Sequence, residues 1–261
     1  MNTVRRRLFS STATAAKKRR RTKKTLFNTL WTFETEQLAN SRVPNAGSIF
    51  CTEKPGYLGP IPPEEQHDTR EVAFVGRSNV GKSTLVGALF QQPDMVRSSK
   101  TPGRTRDTLF FALGDRTHLP FPMVLVDLPG YGYARASNKE QEKWESKMQT
   151  YLSQRSTEQL KRVFVLLDAR RDGMTDLDVG MTEFLNDRNV NFQLVLTKCD
   201  AVHSKEVERV AVKVMNQAWS FQNCVRELIA VSAKNQRGIR ELREASLRSA
   251  GYTGSRSLVA S

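Results

Sequence analysis

From Arg70 onward, short apolar runs alternate with longer stretches in which apolar residues return every three or four positions. The runs at residues 71–75, 108–113, 123–127, 163–168, 192–197 and 228–231 are brief and rich in Val, Ile, Leu and Phe. Such nearly continuous apolar composition predicts six strands of a sheet buried on both faces. Between them, Trp144, Met148, Tyr151 and Leu152 share helical spacing. So do Leu177, Met181, Phe184 and Leu185, and then Val207, Val210, Ala211, Val214 and Ala218. These stripes predict helix faces turned to a core. Strand–helix alternation of this kind predicts an α/β domain over residues 70–251, with a mostly parallel six-stranded sheet flanked by helices.

The chain ahead of Arg70 reads differently. Pro44, Pro55, Pro60, Pro62 and Pro63 interrupt any regular element, so residues 25–69 are expected to form an extension wrapped on the domain and ending in a loop. Residues 1–24 form a basic arm, and residues 252–261 a short tail. Ten of the 41 Lys and Arg residues, and none of the 27 Asp and Glu residues, fall in positions 1–33. The net charge of +14 therefore belongs chiefly to the arm, and the domain is close to balanced. Arg5, Arg6 and Arg7 with the following Ser/Thr/Ala stretch have the composition of a mitochondrial presequence, and Arg7-Leu8-Phe9 before Ser10 resembles a matrix-peptidase cleavage site. The run from Lys17 to Lys24 leaves a nuclear signal or a cytosolic basic tail as alternatives.

No apolar run approaches the ~20 residues that cross a bilayer, which predicts a soluble or at most peripheral protein without stable membrane insertion. Cys51, Cys199 and Cys224 are odd in number and match no zinc or redox spacing, so a reducing compartment is expected. His67, His118 and His203 are as isolated and suggest no metal site.

The chemistry lies where apolar runs end. Gly76-Arg77-Ser78-Asn79-Val80-Gly81-Lys82-Ser83-Thr84 follows the first predicted strand and precedes a helical run at residues 84–90, which is the context a phosphate loop requires. Gly76 and Gly81 let the backbone curl so that amides face phosphate oxygens, and the helix N-terminus adds positive potential. Lys82 is expected on the β- and γ-phosphates, and the Ser83 hydroxyl on Mg²⁺. Asp127-Leu128-Pro129-Gly130 ends the third strand, where a carboxylate can hold Mg²⁺ through water and the Gly130 amide can face the γ-phosphate.

Thr197-Lys198-Cys199-Asp200 ends the fifth strand. A carboxylate there accepts two hydrogen bonds from guanine N1 and N2, a donor pair adenine lacks, while the Lys198 stem covers the purine face. Ser232-Ala233-Lys234 ends the sixth strand, where a backbone amide can meet guanine O6. Together the four segments point to GTP and GDP as ligands. Open α/β sheets bind ligands outside the carboxyl ends of their strands, and all four segments are predicted there.

On these residues the chain resembles the EngB (YihA/YsxC) family of ribosome-assembly GTPases. The resemblance is carried by residues 76–83, by Ser-Ser-Lys-Thr-Pro-Gly-Arg-Thr at 98–105, and by Asp-Leu-Pro-Gly-Tyr-Gly-Tyr-Ala at 127–134. It continues through Trp144, Tyr151-Leu152 and Leu167-Asp168-Ala169-Arg170. It implies a Ras-like fold, slow hydrolysis of GTP, and action on a large-subunit ribosomal precursor made of rRNA and ribosomal proteins. It also implies that Thr105 is the switch threonine joining the Mg²⁺ shell; spacing alone does not choose it over Thr101 or Thr108. With the presequence-like start, a mitochondrial-matrix member is expected, monomeric off the ribosome.

The mechanism implied is a switch in which GTP and Mg²⁺ order the segments around Thr105 and Gly130 and hydrolysis releases them. Lys82, Thr105 and Gly130 would carry the catalytic contacts. Tyr131 stands where Ras-type enzymes place a water-positioning Gln, so intrinsic turnover should be slow. Packing of the loop and contact with a partner both remain open for Tyr131 and Tyr133. Asn79 matches the position of a K⁺-ligating Asn in potassium-activated GTPases of related type. Two other functions stay in view: a tRNA-modification GTPase, against which no further catalytic domain is seen, and a membrane-associated switch, against which the basic run has no apolar face.

Overall fold

The computed structural model describes residues 56–57, 70–92, 108–113, 123–132 and 138–252. The strands are β1 (Gly56–Tyr57), β2 (Glu71–Gly76), β3 (Leu109–Leu113), β4 (Met123–Asp127), β5 (Leu160–Asp168), β6 (Phe192–Thr197) and β7 (Ile229–Ala230). The helices are α1 (Lys82–Leu89), α2 (Asn138–Ser153), α3 (Asp176–Asp187), α4 (Ser204–Gln217) and α5 (Ile239–Ser249).

All six expected strands are present, in the spatial order β1-β3-β4-β2-β5-β6-β7. Pairing is parallel from β4 through β7, whereas β3 runs antiparallel to β4. The two-residue β1 adds a seventh strand, antiparallel to β3, inside a stretch whose prolines had suggested no regular element. Immediately after Pro55, two residues suffice to pair an edge, because only one side of an edge strand needs donors.

β5 starts at Leu160, earlier than its apolar run suggests. The polar Lys161 and Arg162 mask its beginning, and the register shifts between Glu71 and Val72 where it meets β2. Only Ile229 and Ala230 of the last run join the ladder, although Leu228 and Val231 are equally buried.

Side-chain alternation divides the core between the two faces of the sheet. Ala73 and Val75 of β2 point to one face with Met148 and Leu152 of α2, Met181 and Leu185 of α3, and Val210 and Val214 of α4. Val72 and Phe74 point to the other, with Leu85 and Leu89 of α1 and Leu242 and Ala245 of α5. Phe74 stacks on Phe164 there, ring centroids 5.0 Å apart. Each such fully buried side chain contributes roughly 1.5–3 kcal/mol.

The stripe through α3 needs one correction. Met181 and Leu185 are buried, but Leu177 is 49% exposed. It lies in the first turn of α3, beyond the reach of the sheet, and covers Gly132 instead: a Cβ on Gly132 would stand 2.7 Å from Leu177 Cδ1. Trp144 belongs to α2 by sequence position, but its side chain lies outside the described residues.

The edge of the sheet away from the strand carboxyl ends is tied by polar groups. Tyr151 Oη donates to Glu71 Oε2 at 2.8 Å, and Arg155 Nε reaches both Glu71 oxygens at 3.0 and 2.9 Å. This buried triad fixes the C-terminal end of α2 to the start of β2. The opposite edge is left for the chemistry.

Candidate guanine-nucleotide site

The loop after β2 folds as its glycines require. Gly81 has φ 99°, a left-handed conformation that is unstrained only without a Cβ, and it caps α1 directly. α1 therefore begins at Lys82, two residues before the apolar periodicity suggests. Gly76 serves close approach: an added Cβ would lie 2.9 Å from both Leu166 Cβ and Val80 Cγ1.

Contacts link the predicted segments in sequence around the loop. Lys82 Nζ donates to Asp127 Oδ1, and the two residues are only 6% and 3% exposed. Ser78 N donates to Tyr131 O at 2.8 Å, and Tyr131 N to Gly76 O at 3.2 Å. Gly130 thus lies against the loop, within 3.5 Å of Ser78 N for an added Cβ. On the other side, Thr197 Oγ1 donates to Val80 O at 2.7 Å. Lys198, itself at φ 57°, turns its ammonium back to Asn79 O and to Asp168 Oδ2, the latter at 3.0 Å. Asp200 Oδ1 then accepts from Ser232 Oγ at 2.6 Å, and Cys199 N donates to Val231 O at 3.2 Å.

The structure therefore gathers Gly76–Thr84, Asp127–Gly130, Thr197–Asp200 and Ser232–Lys234 along the carboxyl edge of β2, β4, β6 and β7. Thr197 is the exception in orientation. Its hydroxyl faces inward, shared between Val80 O and Leu167 O, so it braces the loop and leaves base reading to its neighbours. Ala233 is partly buried and Lys234 exposed beside Asp200. Thr105, Thr101, Tyr133 and the basic arm lie outside the described residues. Thr108, the third switch candidate, is buried just before β3.

Charge at the site is held by partners. Burial opposes ionisation of Asp168, but hydrogen bonds from Arg170 and Lys198 outweigh it and hold its carboxyl down to about 2. The Ser232 hydroxyl lowers the exposed Asp200 carboxyl, which is thus ionised at neutral pH. Burial pushes the neighbouring Cys199 thiol up to about 12, so it stays protonated.

Ser83, half-buried in the first turn of α1, and Asp127, at the end of β4, supply a hydroxyl and a carboxylate. Such hard oxygen donors, few in number beside a phosphate loop, suit Mg²⁺, which keeps waters and takes its remaining ligands from phosphates. Among the described residues no cluster of His, Cys, Asp and Glu offers a separate metal site.

Tyr131 resolves in favour of packing. Its ring is buried in the core beneath the Asp127–Gly130 turn, and its hydroxyl donates to Asp178 Oδ1 at 2.7 Å. Asp178 also closes a capping box on α3, accepting from Thr175 N and Oγ1. Sequence reasoning missed this partner, although Thr175-Asp176-Leu177-Asp178 ahead of an apolar stripe carries the spacing of such a box.

Residues 71–198 match the family model described as "50S ribosome-binding GTPase". "Probable GTP-binding protein EngB" of Hyphomonas neptunium is 38% identical over 211 residues, covering 81% of this chain and 92% of that protein. The protein of the same name from Roseobacter denitrificans is 43% identical over 176 residues, covering 67% and 77%. The chain belongs to the EngB family. It is accordingly a GTP-binding protein and a GTPase, with the P-loop at Gly76–Thr84. A crystal structure of an EngB protein aligns with TM-score 0.54 at 22% identity, covering 69% of this chain and 98% of that one. Era of Aquifex aeolicus bound to GDP·AlF4⁻ aligns at 0.53 and 20% identity, covering 74% and 60%. At these identities the two structures speak to the fold alone. It is the P-loop GTPase fold that the EngB resemblance implied.

Proposed function

We propose that this EngB-family GTPase is a nucleotide-controlled factor in assembly of the large ribosomal subunit, acting in the mitochondrial matrix and monomeric off the ribosome. The observation that carries the reading is the match of residues 71–198, a span holding the phosphate loop and the Asp127–Gly130 turn, to a family described as 50S ribosome-binding. The matrix address rests on the Arg-rich, acid-free composition of residues 1–9.

In this mechanism Lys82 and Gly130 hold the phosphates, Ser83, Asp127 and Thr105 hold Mg²⁺, and Asp200 selects guanine. When bound there, Mg²⁺ would supply neutralisation of phosphate charge. The Gly130 turn is hydrogen-bonded to the loop through Tyr131 and Ser78, so a change at the γ-phosphate reaches the segment that follows it. That segment, with the one around Thr105, forms the surface a ribosomal precursor reads. The basic arm, where retained, adds a salt-sensitive contact to RNA backbone without sequence selection.

Gradient sedimentation tests the reading. With a non-hydrolysable GTP analogue the protein should travel with immature large subunits, and with GDP it should stay at the top. Depletion should accumulate large-subunit precursors while small subunits mature. Under-modified tRNA with normal subunits would favour the modification reading, and flotation with vesicles the membrane reading. A reporter carrying residues 1–9 should enter mitochondria; a nuclear signal would reassign the address to the basic run from Lys17 to Lys24.

A further inference from the structure

Asp168 has no place in the nucleotide contacts described above, yet it is the most heavily hydrogen-bonded carboxylate near them. It ends β5, its side chain is nearly buried, and its register partner is Thr197, the residue before Lys198. On one side Lys198 Nζ donates to Oδ2 at 3.0 Å. On the other Arg170 grips both oxygens, Nε to Oδ1 at 2.9 Å and Nη2 to Oδ2 at 2.7 Å, with Arg170 N adding a bond to Oδ1 at 3.1 Å. An acceptor held this way is fixed in place before Lys198 reaches it.

Lys198 needs such a fixed acceptor. Its backbone is left-handed, a conformation a long side chain adopts at a cost of ~1–2 kcal/mol. Its stem runs beside the phosphate loop, with Cε 3.6 Å from where a Gly81 Cβ would stand, and its ammonium also meets Asn79 O. Without a second acceptor the flexible four-carbon stem has many rotamers to choose from.

We infer that Asp168 is a positioning residue for nucleotide binding: it holds the Lys198 side chain across the phosphate loop, forming one wall of the base pocket. A lone carboxylate near polyphosphate would repel it, but the two cations on Asp168 offset that charge. Because Lys198 is assigned to the base and Lys82 to the β- and γ-phosphates, the contact acts alike on GTP and GDP and leaves the chemical step alone. The inference rests on Lys198 touching bound nucleotide, and the experiment separates the two ideas.

The test is nucleotide titration and steady-state hydrolysis for Asp168→Asn, Asp168→Ala, Lys198→Ala and the Asp168→Asn/Lys198→Ala double variant. Asp168→Ala should raise Kd for GTP and GDP equally, by ~10-fold, as expected for loss of a charge-assisted hydrogen bond. Asp168→Asn, which keeps one acceptor oxygen and the shape, should raise them less. KM should rise in step with Kd while kcat stays within about twofold, a split that general loosening of the fold does not give. In the Lys198→Ala background Asp168→Asn should add less than about twofold, since coupled residues are not additive. Asp168 effects that persist undiminished without Lys198, or that fall on kcat, overturn the inference. If Lys198→Ala alone leaves both Kd values unaltered, Lys198 is not a nucleotide contact and the positioning role falls with it.

Discussion

Tyr131 Oη donates to Asp178 Oδ1 at 2.7 Å, joining the residue after the Asp127–Gly130 turn to the first turn of α3. Two constraints meet in this bond. Asp178 needs the donor because its residue is buried, and α3 needs Asp178 because the carboxylate caps its N-terminus. The turn facing the phosphates is therefore anchored to the core on its far side, through the residue that directly follows it.

Removing the hydroxyl should cost stability and spare chemistry. Tyr131→Phe leaves Asp178 Oδ1 without this donor, which predicts a loss of about 1–3 kcal/mol in urea unfolding. Tyr131→Gln, the residue of Ras-type enzymes at this place, should destabilise more and raise hydrolysis less than about twofold, because position 131 faces the core. A large rate gain in Tyr131→Gln would place this side chain at the attacking water instead.

Alkaline pH should weaken the fold through two phenols. Burial, then the Asp178 charge and hydrogen bond, raise the Tyr131 pKa well above 10.0; burial and Glu71 do the same for Tyr151. A raised folded pKa means the folded state keeps protons that the unfolded chain releases. The stabilisation is complete below about pH 10 and is lost as pH climbs from there through the folded values, by up to about 1.4 kcal/mol per pH unit for each phenol. Denaturant midpoints between pH 9 and 11 check this. Tyr151→Phe should show a shallower decline, and parallel curves would reject the assignment.

The buried pair Lys82–Asp127 makes a prediction in two parts. Lys82→Ala should abolish most nucleotide binding, since it deletes a phosphate contact. It should also destabilise the nucleotide-free protein by about 3–5 kcal/mol, because Asp127 is left as an uncompensated buried charge. Adding Asp127→Asn should restore part of that stability and none of the binding. Ser83→Ala should weaken Mg²⁺-dependent binding while shifting nucleotide-free stability by no more than about 0.5 kcal/mol. Equal stability of Lys82→Ala and the parent would mean the pair is not a structural element.

Much of this was legible in the sequence, for identifiable reasons. Strands buried on both faces, such as β2, β4 and β6, are apolar at most positions and keep their polar residues mainly at the ends, so their runs coincide with the ladder to within a residue. β5 did not, because its start carries the half-buried Lys161 and Arg162. The four nucleotide segments were legible because each is contiguous and sits at a strand end. Asp168, Asp178 and the inward turn of Thr197 were not, since their partners are 30, 47 and 117 residues away and only the folded register brings them together.

Asn79 yields a test of cation preference. It is exposed in the phosphate loop with φ 65°, and its backbone carbonyl is engaged by Lys198. We expect K⁺ to accelerate hydrolysis over Na⁺ at equal ionic strength, and Asn79→Asp to change that ratio. Equal rates in the two salts would leave Asn79 as a residue chosen for its left-handed backbone.

Base selection turns on Asp200, and the structure separates its two duties. Ser232 Oγ takes one carboxylate oxygen at 2.6 Å and orients the group, and guanine N1 and N2 require an ionised acceptor beside it. Asp200→Asn replaces an acceptor by a donor and should cost GTP at least ~100-fold in Kd, the scale of a mispaired polar group in a built site. The same donor suits the added carbonyl of xanthine, so xanthosine triphosphate should bind the variant better than the parent. Ser232→Ala removes only the orienting bond. It should weaken GTP by about fivefold, the worth of one ordinary hydrogen bond, and leave the preference for guanine over xanthine intact. Competition of both triphosphates against a fluorescent GDP reads all three values. An Asp200→Asn protein that still prefers GTP would move base reading away from this carboxylate, and a Ser232→Ala protein that switches preference would make the serine a direct reader.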